Sequence, residues 1–270
     1  MKPPKTDPKS SVVGDLPDAV DANVAPSSKL VPKKPLIMRF GKWVQPRTNR
    51  WIARSSRIPD IPVFEAKDFA WTREIEDNWE TIRDEAFAAV SDIESVPPLA
   101  SISPDHRRIA PAGRWRAIFL VGYGYREETN CAKCPKTAVL ISRVPGLNSA
   151  FFSVLVPGTR LPPHTGVSKA FLTCHLGLRV PRDSANCRMR VVDDWLEWRE
   201  GKCTVFDDTF DHEVRNDTDE TRIVLLIQFK RPVGPIGWLV GNAILEGVRR
   251  SRFVQQARKG HSEWSARHIG

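Results

Sequence analysis

The chain has 270 residues, 41% of them hydrophobic, which is enough for one sizeable core carrying extensions. Its 41 Lys and Arg against 32 Asp and Glu leave a net charge of +9, a surplus that favours anionic partners such as phosphorylated lipids, nucleic acid or acidic small molecules without choosing among them. No apolar leader stands in "MKPPKTDPKS", the longest apolar run "IGWLVGNAIL" is too short to span a bilayer, and five cysteines suit reduced thiols, so a cytoplasmic protein without a disulfide framework is expected.

Residues 1–35 hold seven prolines among Lys, Ser and Asp and cannot bury enough surface to offset their ordering entropy, so they read as a disordered tail. Residues 36–61 form a basic arm. In it Arg39, Lys42, Arg47, Arg50, Arg54 and Arg57 have no acidic residue among them, and Phe40, Trp43 and Trp51 are interleaved. Such an arm suits an anionic membrane interface, or else its aromatics pack on the domain beneath solvated arginines. No nucleic-acid module follows it, and no nucleic-acid partner is expected. From residue 62 the texture is globular. Ile75, Trp79, Ile82, Ala86 and Val90 recur at helical spacing and predict an amphipathic helix capped near Thr72. Cys131 and Cys134 form a lone CxxC, short of the soft ligands a zinc site needs. The runs "WRAIFLVGY", "TAVLISRV", "AFFSVLV", "AFLTCHLGLRV", "CRMRVV", "KCTVFDD" and "RIVLLIQF" read as strands, and many short strands behind an opening helix predict a sandwich or jelly roll. Residues 233–270 set Trp238, Leu239, Ile244, Leu245, Val248 and Phe253 beside Arg249, Arg250, Arg252, Arg258 and Lys259. This is an amphipathic basic helix, fit to lie on a membrane, to pack on the domain, or both.

Two histidines stand out within the strand-rich region. His164 sits at a strand exit after "VPGTRLPP", and His212 lies in "FDDTFDHEVRN" just before the strand "RIVLLIQF". One mouth of a jelly roll would bring them onto a single metal. Two imidazoles with open positions suit Fe(II), whose usual third ligand is a carboxylate two residues after the first histidine. That position is Gly166. Arg222 offers a planar fork for a carboxylate. In the tandem "FDD", Asp207 and Asp208 read as a cap on the turn before His212, Asp211 and Glu213 as solvated, and Cys174 and Cys203 as small core residues.

The run "SVLVPGTRLPPHTGVSKAFLTCHLGLRVP", with "WREGKCTVFDDTFDHEVRNDTDETRIVLLIQFKRP" after it, resembles the aspartyl/asparaginyl β-hydroxylase family of Fe(II)- and 2-oxoglutarate-dependent oxygenases. The pieces that carry the likeness are HTG, HLGL with its following VP, EG, FDD, HEV with its asparagine, and the arginine ten residues past the second histidine, within residues 62–232. The family includes protein hydroxylases and bacterial enzymes acting on acyl chains of lipid A or ornithine lipids. The resemblance implies a mainly β, double-stranded β-helix (jelly roll) with flanking N-terminal and C-terminal helices. It makes His164 and His212 the iron ligands, and it places Gly166 with the protein-hydroxylase branch, in which glycine replaces the carboxylate. Arg222 then binds the distal carboxylate of 2-oxoglutarate, with His175 and Ser153 bonding the same co-substrate. Thr173 departs from the pattern, since protein hydroxylases carry a co-substrate arginine there; Lys169 is a candidate replacement. The implied reaction consumes O2 and 2-oxoglutarate, releases succinate and CO2, hydroxylates an unactivated C–H, and requires no acid/base triad. The two basic-apolar flanks favour a lipid acyl chain as substrate, met at the inner face of the cytoplasmic membrane. The HTG variant alternatively suits Asp or Asn in a peptide or small molecule, and the missing carboxylate leaves a non-catalytic binding protein as a third reading.

Overall fold

The structure, a computed structural model, describes residues 36–102, 109, 113–251 and 254–255. The proline-rich tail, residues 1–35, falls outside them. The strands are β1 (Val63–Phe64), β2 (Trp115–Gly122), β3 (Tyr125–Arg126), β4 (Leu147–Leu155), β5 (Thr159–His164), β6 (Phe171–Arg179), β7 (Cys187–Val191), β8 (Asp194–Glu197), β9 (Cys203–Phe206), β10 (His212–Asn216) and β11 (Arg222–Lys230). The helices are α1 (Leu36–Ser55), α2 (Trp71–Asp77), α3 (Trp79–Ala89), α4 (Leu99–Ile102), α5 (Glu128–Lys133), α6 (Pro135–Ser142) and α7 (Pro235–Arg249). A major sheet of order β1-β9-β6-β11-β4-β2-β3 faces a minor sheet of order β5-β10-β7-β8. All of the strand pairs are antiparallel. The expected mainly β jelly roll with flanking helices is what the chain forms.

The central strand β11 shows why "RIVLLIQF" is apolar almost throughout. Successive side chains of a strand point to opposite faces. Ile223, Leu225 and Ile227 enter the cluster formed with Ile75, Ile82, Ala86, Ala138 and Ile141, so they lie under α2, α3 and α6. Val224 and Leu226 enter a second cluster with Leu161, Met189, Val191 and Val214 of the minor sheet. Both faces of the strand are therefore buried, which removes the polar alternation of a half-exposed strand.

Three sequence expectations need correction. The predicted single helix is two, α2 and α3, broken at Asn78, whose Nδ2 donates to Glu74 O at 2.8 Å and so competes with the backbone ladder. Thr72 is no cap: it lies inside α2 and donates to Phe69 O and Ala66 O. The run "TAVLISRV" is largely helix α6, although its β-branched residues suit a strand. Pro135 opens this helix, and the Glu85 carboxylate accepts from Lys136 N and Thr137 N at 3.0 and 2.8 Å, holding a negative charge at the positive end of the helix.

The two flanking segments pack on each other. Ile52 of α1 and Leu245 of α7 share a small buried cluster with Ala170 and Phe171, with Trp51 and Val233 against it. Gly234 N donates to Ser55 O at 2.9 Å at the junction. Trp51, expected to suit an interface, is thus spent partly on packing. The side chains of Arg39, Phe40, Lys42, Trp43, Ile244 and Val248, and the whole of Arg252, Phe253, Arg258 and Lys259, lie outside the described residues.

Candidate active site

His164 and His212 meet. They are cross-strand partners on β5 and β10, and their ring centroids are 4.1 Å apart. His212 opens its own strand, β10, and does not merely precede β11 as the sequence suggested. Each ring is fixed by the same local device. His164 Nδ1 lies 2.8 Å from Pro162 O and His212 Nδ1 lies 2.9 Å from Phe210 O. A carbonyl oxygen only accepts, so both Nδ1 atoms carry the proton and both Nε2 lone pairs are left for a ligand. Burial, and for His212 the neighbouring His164, lowers both pKa values, that of His212 to about 4. Near neutrality both imidazoles are uncharged, the form that binds a metal.

Beside this pair the structure explains Gly166. A Cβ there would collide with the carboxylate of Asp208, and Gly166 N donates to Asp208 O. Asp208 is half-buried, accepts from Thr173 Oγ1 at 3.2 Å, and its pKa is pushed up to about 6 by desolvation and by Asp207. Space that a carboxylate at 166 would need is thus filled from across the turn. Among the described residues, no group of three or more His, Cys, Asp and Glu is arranged to hold a metal ion.

Asn216 sets the distance from His212 to Arg222. Its Nδ2 donates to Glu220 O at 2.9 Å and Leu155 O at 3.2 Å, pinning the turn that leads from β10 into β11. Arg222 then enters the space between the sheets, where it is 2% exposed. Its Nε and Nη1 find no hydrogen-bond partner among the described residues, and its guanidinium lies 4.6 Å from the Trp198 ring centroid. Burial lowers its pKa to about 10, which leaves it charged near neutrality. A buried cation without an anion is costly, and such a group is retained where a ligand supplies the missing charge.

Two tryptophans shape the neighbours of Arg222. Trp198 Nε1 donates to His175 Nδ1 at 3.2 Å, so His175 carries its proton on Nε2, the opposite tautomer to His164 and His212. Burial and the Arg222 charge hold the His175 pKa well below the usual histidine value, keeping the ring neutral. Trp115 Nε1 donates to Ser153 Oγ at 3.0 Å, which leaves the serine hydroxyl to donate onward. Ser153 and His175 sit opposite Val224 and Leu226 in the ladder, on the same face of the sheet as Arg222. That face therefore presents donors: a guanidinium, an imidazole N–H and a hydroxyl. Gly177 helps to place Trp198, because a Cβ there would collide with Arg199 O where the segment crosses β6.

The other acidic and basic residues divide clearly. Asp207 accepts from Thr209 N at 2.9 Å, so it caps the turn before His212 as expected. It also pairs with the buried Arg231 and with Lys169 Nζ at 3.0 Å. Lys169 in turn reaches Asp60 at 2.5 Å and lies over the Phe210 ring. These contacts hold it in a structural network, so Lys169 does not replace the arginine missing at Thr173. Glu213, expected to be solvated, is 7% exposed and pairs with Arg190 and Arg215. Asp211 is half exposed and pairs with Arg190. Cys131 and Cys134 are buried, with thiols donating to Leu120 O and Glu85 O, and burial pushes Cys134 up to about 11. Cys174 lies in the core, and Cys203 is half buried against it.

Sequence reasoning missed Trp198, Trp115, Arg231 and the contact of Asp208 with Gly166. Trp198 lies 23 residues from His175 and Trp115 lies 38 from Ser153. No local pattern marks such pairs.

The aspartyl/asparaginyl β-hydroxylase family model matches residues 76–232. The chain is 31% identical over 243 residues to the ornithine lipid ester-linked acyl 2-hydroxylase of Rhizobium tropici, covering 90% of this chain and 85% of that protein. It is also 31% identical over 165 residues to the human aspartyl/asparaginyl β-hydroxylase, covering 59% of this chain but only 21% of the human protein. Among solved structures, a Pseudomonas putida prolyl-4-hydroxylase matches 58% of this chain and 88% of its own at 19% identity and a TM-score of 0.36, too distant to bear on function. The match across most of the jelly roll, with the long alignment to the Rhizobium protein, makes this chain a member of the aspartyl/asparaginyl β-hydroxylase family.

Proposed function

We propose that the chain is an Fe(II)- and 2-oxoglutarate-dependent hydroxylase of a membrane-lipid acyl chain, with residues 62–232 as the catalytic domain and residues 36–61 and 233–270 as its flanks. The observation that carries the reading is the buried Arg222 guanidinium, unpaired among the described residues, set on the same sheet face as His175 and Ser153. A dicarboxylate co-substrate suits it: one carboxylate takes the fork of Arg222, while His175 Nε2–H and Ser153 O–H donate to acceptor oxygens. His164 and His212 suit Fe(II), being neutral, paired, and already in the tautomer that presents Nε2. When bound, Fe(II) and 2-oxoglutarate supply O2 activation coupled to oxidative decarboxylation, releasing succinate and CO2 and hydroxylating an unactivated C–H. The chain's own work is to orient these groups and keep water from them. The long alignment to an ornithine-lipid acyl hydroxylase favours a lipid over a peptide, and the cytoplasmic face of the membrane is the corresponding workplace. Among the described residues no helix is long and apolar enough to cross a membrane.

An anaerobic titration of the metal-free protein with Fe(II) and 2-oxoglutarate tests the site. A visible charge-transfer band is expected in the wild type and absent in His164→Ala and Arg222→Ala. A wild type without the band leaves the two departures, Gly166 and Thr173, as a binding protein's features. The substrate is tested separately by mass spectrometry of membrane lipids from a deletion strain. Unchanged lipids, with an added oxygen found on an Asp- or Asn-containing substrate, would move the reading to the peptide side of the family, represented by the human relative.

A further inference from the structure

The loop that follows the first iron-ligand candidate is held by the basic arm. Gln45 Nε2 and Asn49 Nδ2 of α1 both donate to Val167 O, at 2.9 and 3.3 Å, and Lys169 N donates to Asn49 Oδ1 at 3.1 Å. The loop joins β5, which ends at His164, to β6, which carries Thr173 and His175. One side of α1 is therefore committed, through Gln45, Asn49 and the buried Ile52, to the loop and the core beneath it.

The other side carries Arg47, Arg50 and Arg54, spaced so that they share a face, with Arg57 just beyond the helix end, and all four are exposed. Among the described residues Arg50, Arg54 and Arg57 form no ion pair. Large apolar side chains stand exposed on the two elements that α1 contacts. Val167, on the loop that α1 grips, is 70% exposed, and Trp238 and Leu239 of α7, the helix packed against α1, are 59% and 64% exposed. Elsewhere in the described chain most large apolar residues are covered. The combination is one of cations in a row on α1, an exposed tryptophan and leucine on the helix packed against it, and an exposed valine on the loop it holds after His164.

We infer that α1, the 165–169 loop and the start of α7 form one docking surface for an anionic bilayer, with the arginine stripe on the headgroups, Trp238 and Leu239 in the interface, and Val167 turned to the lipid. This inference rests on the lipid reading above and extends it by naming the face that meets the membrane. Charge complementarity selects the occupant, because arginines attract an anionic surface and exposed Trp and Leu gain from its apolar boundary. An acyl chain leaving such a surface would meet the loop that leads directly to His164, so docking would set the approach of substrate as well as the location of the enzyme.

The test uses the full chain and vesicles of phosphatidylcholine with or without phosphatidylglycerol. The wild type is expected to float with the anionic vesicles and not with the zwitterionic ones. A triple Arg50→Gln, Arg54→Gln, Arg57→Gln variant should partition about a hundredfold more weakly, each arginine being worth about fivefold near an anionic surface. The corresponding lysine triple variant should retain binding, and Trp238→Ser with Leu239→Ser should lose part of it. An environment-sensitive fluorophore on Val167→Cys should shift to the blue when anionic vesicles are added; the native cysteines are buried or half buried. A wild type that stays out of the lipid fraction, a glutamine variant that floats like the wild type, a lysine variant that does not float, a label at 167 that ignores the vesicles, or arginine-dependent binding to single-stranded RNA in place of vesicles would each overturn the inference. The Fe(II) and 2-oxoglutarate band, read on the same proteins in solution, should be unchanged in every variant. Loss of that band in the wild type with flotation intact would sink the proposed chemistry and leave the docking surface standing.

Discussion

The two faces of the major sheet are made by the same strands and obey opposite rules. On the outer face Ile223, Leu225, Ile227, Phe152 and Val154 lie against helices in a cluster without charge. On the inner face Arg222, Ser153, His175 and Thr173 are equally buried, yet several of their polar groups look toward the space between the sheets. Neighbouring residues of β11 therefore meet opposite surroundings, Ile223 an apolar cluster and Arg222 a set of polar groups. The outer face gains from being closed, and the inner face keeps open donors at a cost in folding free energy.

This contrast yields predictions that can break it. The largest effect is expected at Arg222. Replacement by Met should weaken 2-oxoglutarate binding about a thousandfold through loss of charge-assisted hydrogen bonds, while thermal melting without co-substrate stays level or rises, because a buried unpaired cation has been removed. Isothermal titration and a melt together decide, and a large fall in melting temperature would show that the arginine supports the fold. The reverse pattern is expected on the outer face. Leu225→Ala should cost about 3 kcal/mol in denaturant unfolding and leave the Fe(II) and 2-oxoglutarate band unchanged under native conditions. If the band vanished in folded protein, the two faces would not be separable.

A finer probe is Trp198→Phe, which keeps a ring beneath Arg222 but removes the N–H that fixes the His175 tautomer. Co-substrate affinity should fall about tenfold with iron affinity unaltered, and nitrogen chemical shifts of His175 should report mixed tautomers. An unmoved imidazole spectrum would mean that the ring is set by its packing alone. The mildest effect is on pH. In metal-free protein His212 stays neutral down to about 4 against an ordinary 6.5, so the unfolded chain takes up that proton first and stability falls as pH drops through this range. The depressed His164 and His175 act with the same sign. Asp208 opposes them: with a pKa raised from 3.8 to about 6, it loses stability as pH rises between those values. Three histidines against one carboxylate predict a net loss of stability on acidification, and a melting temperature independent of pH from 6.5 to 4 would contradict the neutral state of these three rings in the folded protein.

Much of the inner face is legible in the sequence because its parts are local. HTG lies at the end of β5, HLGL lies on β6, and the run from Asp207 to Arg222 is one continuous turn–strand–turn, with Asn216 fixing its last spacing through contacts within the second turn. What the sequence hides is made at a distance. The helix α6 was hidden because its β-branched residues suit a strand, and because Glu85, which helps Pro135 to hold its start, lies some fifty residues earlier. Glu213 looked solvated because its partner Arg190 becomes a neighbour only when β10 pairs with β7. The donor role of His175 depends on an indole from a segment that reaches it by crossing over Gly177.

The carbonyls that hold His164 and His212, the candidate ligands, belong to Pro162 and Phe210, and every residue type has such an oxygen. The lock on both rings is therefore written in backbone shape and not in side-chain identity. A saturation library should find positions 162 and 210 permissive for iron loading wherever the local turn survives, beside an intolerant 164 and 212. The most important supports of the metal-ligand candidates would then be almost invisible to a screen that reads only amino-acid substitutions.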